Sequence, residues 1–185
     1  MKGPIVALLF LVPVFLSAQG VFTNQTSTAL QKVISDYPNR FSNIRGELIS
    51  EDPQSTDYQS KVQIPGAGNA VVTKYSSTED REIYSWKCVI SESEEFEVIS
   101  KKYKDLYNQI RNSIVKVEGE KPLILNGSYE PPTEEKRFVS SSFNLVPSVG
   151  RLGKVKVELA LEFLITEWKI SLLVFDQEEE SIVMQ

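Results

Sequence analysis

The chain has 185 residues, 25 acidic against 20 basic for a net charge of −5, with one cysteine and no histidine. A mildly acidic chain lacks the clustered Lys and Arg that neutralise nucleic-acid phosphates or an anionic membrane surface, so neither is an expected partner. Without histidine there is no Ser-His-Asp or Cys-His catalysis, no His-containing zinc or iron site and no imidazole pH switch, and the lone thiol of Cys88 leaves no internal disulfide.

Met1-Lys2-Gly3 is a short basic start, Pro4 to Leu16 an uncharged apolar run, and Ser17-Ala18-Gln19-Gly20 small and polar. That order predicts a secretory signal peptide over residues 1–18, with cleavage after Ala18 or after Gly20. The run is too short to span a bilayer as a helix, which takes about 20 residues. No cysteine near the cleavage point offers a lipid attachment site, so no membrane anchor is expected and the mature chain is assigned to a periplasm or the extracellular space. Residues 19–185 then form a single domain.

A helix fits Ser27 to Asp36, with Leu30, Val33, Ile34 and Tyr37 on one stripe and Pro38 as its stop. Phe41 and Ile44 lead into a strand over Ile44–Ile49, and Glu51–Thr56 is a loop. Tyr58–Ile64 alternates, with Tyr58, Val62 and Ile64 on one face and Gln59, Lys61 and Gln63 on the other, which predicts a strand. Pro65–Asn69 reads as a turn; its two glycines have no following helix and no Lys-Ser/Thr, so it is not a phosphate cradle. Ala70–Ser76 and Glu82–Ser91 are two more strands, joined by the charged loop Ser77–Arg81. Cys88 shares the alternation of Tyr84 and Trp86 and is read as a buried thiol.

The clearest element is a second helix. Ser91-Glu92-Ser93-Glu94 has capping-box spacing, glutamates fill the first turns, and Lys101, Lys102, Lys104 and Arg111 come later, as the helix dipole favours. Phe96, Ile99, Tyr103, Leu106, Ile110 and Ile114 make one apolar stripe suited to packing on a sheet. Beyond Gly119 come the short apolar run Leu123–Leu125 and a loop containing Asn126-Gly127 and Pro131-Pro132. Arg137–Val146 reads as a strand and Pro147–Gly150 as a turn. Lys154–Phe163 alternates cleanly: Val155, Val157, Leu159, Leu161 and Phe163 face one way, Lys154, Lys156, Glu158 and Glu162 the other. Trp168–Phe175 is a last strand, reached through a turn within Leu164–Glu167 that contains neither Gly nor Pro. Asp176–Glu180 opens an acidic tail.

The sum is an α+β domain: a mainly antiparallel sheet with two helices packed on one side. Its order, helix and four strands twice over, suggests a tandem αββββ duplication with half-repeats 26–91 and 92–176. Ile64-Pro65, Gly68 and Trp86-Lys87 each sit 82 residues before Val146-Pro147, Gly150 and Trp168-Lys169. In element order the chain resembles the β-lactamase inhibitory proteins, secreted modules built from tandem helix-plus-four-strand repeats. It departs from them in lacking their disulfides, and fold-level likeness carries no function with it.

Few side chains suggest chemistry. Ser113-Ile114-Val115-Lys116 matches S-x-x-K, but no S-D-N or K-T-G follows and the match falls at a helix C-terminus. Glu158 and Glu162 share one strand face about 13 Å apart at about 3.3 Å per residue, beyond the roughly 5–9.5 Å of a glycosidase pair. The acidic stretches Glu79–Glu82 and Asp176–Glu180 lack the spacing of a calcium loop. Asn24-Gln25-Thr26 and Asn126-Gly127-Ser128 are glycosylation sequons in a eukaryotic host. No catalytic, cofactor-binding or metal-ligating residue is assigned, and no cofactor is expected. The chain therefore reads as an exported, non-enzymatic binding or interaction protein, its partner a protein or small ligand and its working surface the sheet face opposite the helices. One alternative is a carrier of a small apolar ligand between helix and sheet, which needs a cavity of about 300 Å³ or more. The other is a carboxylate-based hydrolase, which needs two acidic groups in one cleft with pKa values pushed apart.

Overall fold

The computed structural model describes residues 25–76 and 82–176. The apolar run Pro4–Leu16, the cleavage region, the loop Ser77–Arg81 and the tail from Gln177 lie outside the described residues. Helix α1 spans Gln25–Asp36 and runs into a short 3₁₀ turn at Tyr37–Asn39. Strands β1 (Arg45–Glu51), β2 (Ser55–Ser60), β3 (Ala70–Tyr75) and β4 (Ile83–Ser93) follow, then helix α2 (Phe96–Ile110). The second half holds β5 (Ile114–Val115), β6 (Leu123–Gly127), β7 (Phe138–Val146), a 3₁₀ turn at Gly150–Lys154, β8 (Val155–Leu164) and β9 (Glu167–Asp176).

These strands form one antiparallel sheet in the order β1-β2-β3-β4-β9-β8-β7-β6-β5. Each half is a meander, and the last strand of each, β4 and β9, meet in the middle. The alternation of each strand selects which side chains face the helices. One such row crosses the sheet through Tyr58, Val72, Trp86, Val174, Val157 and Phe143, and a second through Ala70, Cys88, Leu172, Leu159 and Ser141. Helix α2 lies against β4, β8 and β9, and α1 against α2 and β5. Between helices and sheet, Leu30, Ile34, Ile99, Tyr103 and Ile110 meet Trp86, Phe143, Leu159 and Leu161, all fully buried. Burial of each such side chain stabilises the fold by about 1.5–3 kcal/mol. The α+β class, the antiparallel sheet and the one-sided helical layer are as the sequence predicts.

Several boundaries differ from the expectation, each for a local reason. Strand β2 ends at Ser60 and not at Ile64. The Ser60 hydroxyl donates to the Val62 carbonyl at 2.9 Å and accepts the Val62 N–H at 3.1 Å, which folds the chain out of the ladder. The Trp86 Nε1–H fixes the same hydroxyl from β4 at 3.0 Å. The capping box at Ser91 does not form, because β4 runs on to Ser93 after a bulge and pairs Ser91 with Ile170 and Glu92 with Lys169. Ser93 Oγ accepts the Glu95 N–H at 3.1 Å in the turn before α2 begins at Phe96, and Glu95, at the N-cap, makes no side-chain capping bond among the described residues. At the other end Asn112 takes the left-handed conformation (φ 64°), so Ile114 leaves the helical stripe and becomes exposed on β5. Asn126-Gly127 belongs to β6 and not to a loop.

Trp86 and Trp168 are both buried in rows facing the helices. Their spacing does not carry into the neighbouring strands: Trp86 pairs with Val72, Trp168 with Phe163, and Val72 and Phe163 are not separated by the same interval. The difference has two parts: β8 and β9 are joined by two residues, Ile165-Thr166, whereas seven separate β3 from β4, and Trp86 pairs two steps further from its hairpin than Trp168 does. Among the described residues no helix is long and apolar enough to cross a membrane.

Candidate functional site

The helices cover one face of the sheet. The face behind it is covered by no helix among the described residues. Three rows cross its centre. One runs through Val71, Lys87, Leu173, Glu158 and Ser142, the next through Thr73, Ser85, Phe175, Lys156 and Asn144, and the third through Val89, Ser171, Ala160 and Ser140. Val71, Val89, Leu173 and Phe175 are each partly exposed there, whereas the small residues Ser171, Ser85 and Ala160 are buried between their longer neighbours. The buried Ser171 Oγ has no hydrogen-bond partner among the described residues, an arrangement that costs about 1–3 kcal/mol wherever water is excluded.

Charged side chains are interleaved with these apolar ones, Lys87 between Val71 and Leu173, Glu158 beyond Leu173 and Lys156 beside Phe175. Lys169 on β9 bridges Glu92 at 2.8 Å and Glu167 at 3.0 Å, and the hydrogen bonds it donates to these two carboxylates raise its pKa above the ordinary lysine value. Lys87 stands 4.0 Å from Glu162, and the Lys156 ammonium lies 5.9 Å from the Phe175 ring centroid. Toward β6 the face ends in a polar cleft of about 480 Å³, where Asn126, Ser140, Ser142 and Asn144 meet the Tyr129-Glu130 loop. Buried behind that loop, Ser141 Oγ accepts the Glu130 N–H at 3.0 Å and ties the loop to the core. Burial raises the pKa of Tyr129. The surface thus mixes half-exposed apolar side chains with charged ones and ends in a polar recess at one side.

The other side chains singled out by sequence have structural places. Ser113 is buried, its Oγ donating to the Gln109 carbonyl at 2.9 Å and lying 2.7 Å from Ser27 Oγ, so it joins the end of α2 to α1. Lys116 meets α1 through its backbone, its N–H donating to Gln31 Oε1 at 2.8 Å, and no hydrogen bond joins Ser113 to Lys116 among the described residues. Cys88 is fully buried and burial raises its pKa, away from the reactive thiolate. Glu158 and Glu162 lie on the open face as expected, whereas Lys154 leaves it for the Gly150–Lys154 turn. Among the described residues no group of three or more Cys, Asp or Glu side chains is placed to hold a metal ion.

Sequence reasoning missed two features. Ile165, at the tip of the β8–β9 hairpin, is 95% exposed in a left-handed conformation (φ 59°). Arg40 and Phe41 are consecutive left-handed residues (φ 56° and 55°) on the loop after α1. The missing Gly and Pro at Leu164–Glu167 was the available signal for the first; no local pattern marks the second. No family model matches the chain, and neither a curated protein nor a solved structure is significantly similar to it.

Proposed function

We propose that this is an exported, non-enzymatic interaction domain that binds a partner protein through the open face of its sheet. The observation that carries the reading is the set of half-exposed apolar side chains Val71, Val89, Leu173 and Phe175, interleaved with the charged Lys87, Glu158 and Lys156 on a face that no helix covers among the described residues. Apolar side chains held half-exposed on a sheet lose little entropy on docking, and the charges among them set register and exclude wrong partners. Leu173→Arg tests it. The side chain stands on the open face, so the variant keeps its thermal transition, and affinity capture from the exported fraction loses the protein that the wild type retains. Retention of that protein by Leu173→Arg overturns the assignment of the face.

A second reading, carriage of a small apolar ligand, draws on a cleft of about 440 Å³ between the helices and the turn after β2, where Ile64, Pro65, Ile90 and Leu106 converge beside Lys102 and Gln109. Saturable binding of an anilinonaphthalene dye by the folded protein, blocked by Ala67→Trp at the mouth, supports it. Dye binding that Ala67→Trp leaves unchanged removes it.

A further inference from the structure

Where β6 ends at Gly127, the open face of the sheet runs into a recess of about 480 Å³ against the loop that follows. Its floor comes from two strands. Asn126 of β6 and Asn144 of β7 are directly opposed in the ladder, a pairing that holds Cβ atoms about 4.5–5.5 Å apart. Both side chains are exposed, so two carboxamides stand next to each other. Ser140 and Ser142 continue the same face of β7, and Ser128 begins the loop.

None of these five side chains makes a hydrogen bond among the described residues. Each carboxamide offers two N–H donors and a carbonyl acceptor, and each serine hydroxyl both donates and accepts. Mixed donors and acceptors packed this closely match a run of alcohol groups, since every hydroxyl of a polyol also does both.

The residues around them are committed, and they fix the opposite wall. The Glu130 N–H donates to the buried Ser141 Oγ at 3.0 Å, and Ser141 is itself placed by the Tyr103 hydroxyl at 2.8 Å. Tyr129 rests against Tyr107 at 4.9 Å between ring centroids and against Tyr103 at 6.1 Å. Tyr107 is held in turn by its hydroxyl, which donates to the Gly127 carbonyl at 2.8 Å. Tyr129 is thus a half-buried ring on a packed bed, and its remaining surface lines the recess. A wall in place before the ligand arrives lowers the entropic cost of binding.

Charge narrows the ligand further. Glu130 is the one charged residue among the described residues that line the recess, and Lys136 Nζ meets its carboxylate at 2.9 Å. On β8 the flanking charges are of opposite sign, Lys156 paired with Asn144 and Glu158 with Ser142. The recess therefore favours neither an anion nor a cation. An apolar guest is disfavoured as well, because it would strip water from polar side chains and return no hydrogen bonds.

The geometry points to a binding site for an uncharged saccharide, its hydroxyls bonded to Asn126, Asn144 and the serines and the C–H face of its ring on Tyr129. A pyranose suits both walls, with hydroxyls around its rim and C–H groups on its faces. An aromatic wall with a few placed polar groups is the usual make-up of a small-ligand site. The recess shares none of its residues with the apolar set Val71, Val89, Leu173 and Phe175, and the two readings stand or fall separately.

A chemical-shift titration of the isotope-labelled full chain tests this with glucose, galactose, N-acetylglucosamine, the disaccharides maltose and cellobiose, and cyclohexanol as a ring with a single hydroxyl. Saturable shifts of the Asn126 and Asn144 side-chain amide signals are expected with at least one sugar. Tighter binding of a disaccharide identifies a glycan chain, and equal or weaker binding a free sugar; both orders support the site. Asn126→Ala and Asn144→Ala replace exposed strand residues, so each keeps its thermal transition, and each weakens binding about fivefold or more through lost hydrogen bonds. Val71→Arg, on β3 at the far side of the open face, leaves saccharide binding unchanged. Absence of saturable shifts with every sugar, an equal response to cyclohexanol, or full affinity in either folded asparagine variant each overturns the proposal.

Discussion

Tyr103 of α2 donates its hydroxyl proton to Ser141 Oγ of β7 at 2.8 Å, in the middle of the buried layer between helix and sheet. The same oxygen lies 3.2 Å from the Leu159 carbonyl of β8. This contact locks the helix in register over the second meander, and burial pushes the phenol pKa up to about 12. An unfolded tyrosine ionises near 10. Between those values the unfolded chain has released a proton that the folded one keeps, so stability falls as pH rises from about 10 to 12, by up to about 2–3 kcal/mol. Tyr103→Phe loses about 1 kcal/mol at neutral pH. It also loses the alkaline penalty, so urea midpoints of wild type and variant converge and then cross above about pH 10. A gap that stays constant to pH 12 sinks this account.

Asp36 has the same role for the loop after α1 that Tyr103 has for α2. Asp36→Ala removes the acceptor for two backbone N–H groups, one of them the buried Ile44 N–H. The expected loss is about 2–4 kcal/mol in chemical denaturation. Asp36→Asn keeps one acceptor oxygen and loses about half as much. An Asp36→Ala protein as stable as wild type would show that the loop is held by Phe41 alone.

Much of this architecture was legible because local periodicity reports local burial. The stripe Ile99, Tyr103, Leu106 and Ile110 gave α2 its face, and Val155, Val157, Leu159 and Leu161 gave β8 its own. What was not legible depends on partners distant in sequence. Tyr58–Ile64 alternates as well as any strand, yet Ser60 bends it out of the ladder, where its hydroxyl meets Trp86 of another strand. Ser91 has an ideal capping pattern, yet the ladder with Ile170 claims it. The open face of the sheet shows the same limit. Alternation marks Val71, Val89, Leu173 and Phe175 as one face of their strands, but only the strand order shows that these faces adjoin. The hydrogen bond from Arg151 to the Pro38 carbonyl is further from view, since it joins residues 113 apart.

Gly127 shows how a residue typical of loops comes to sit in a strand. It pairs with Phe143 at the end of β6, and its carbonyl accepts the Tyr107 hydroxyl at 2.8 Å. A Cβ at this position would overlap the Ser142 carbonyl oxygen and stand 2.6 Å from the Phe143 ring. Backbone cannot yield to that contact as a flexible side chain would. Gly127→Ala therefore destabilises by about 1–3 kcal/mol through overpacking, although alanine lowers the entropy of the unfolded chain. Differential scanning calorimetry should show a lower transition temperature, and an unchanged or higher one refutes the close approach of β6 to β7.

The hairpin Ile165-Thr166 makes the opposite prediction. A two-residue connection in which only the first central residue has positive φ is the type II′ turn, which takes glycine at that position. Ile165 holds it at φ 59°. A β-branched side chain there is strained by about 1–2 kcal/mol. At 95% exposure it recovers almost nothing by burial. Ile165→Gly relieves the strain at a cost of up to about 1 kcal/mol in unfolded-chain entropy, for a net gain of about 0.5–1 kcal/mol and a higher urea midpoint with the slope unchanged. Thr166→Gly, at a residue already at negative φ, has no strain to relieve and should destabilise. If Ile165→Gly lowers the midpoint instead, the isoleucine is held by contacts outside the described residues, and the hairpin tip is not the free apolar projection that its exposure indicates.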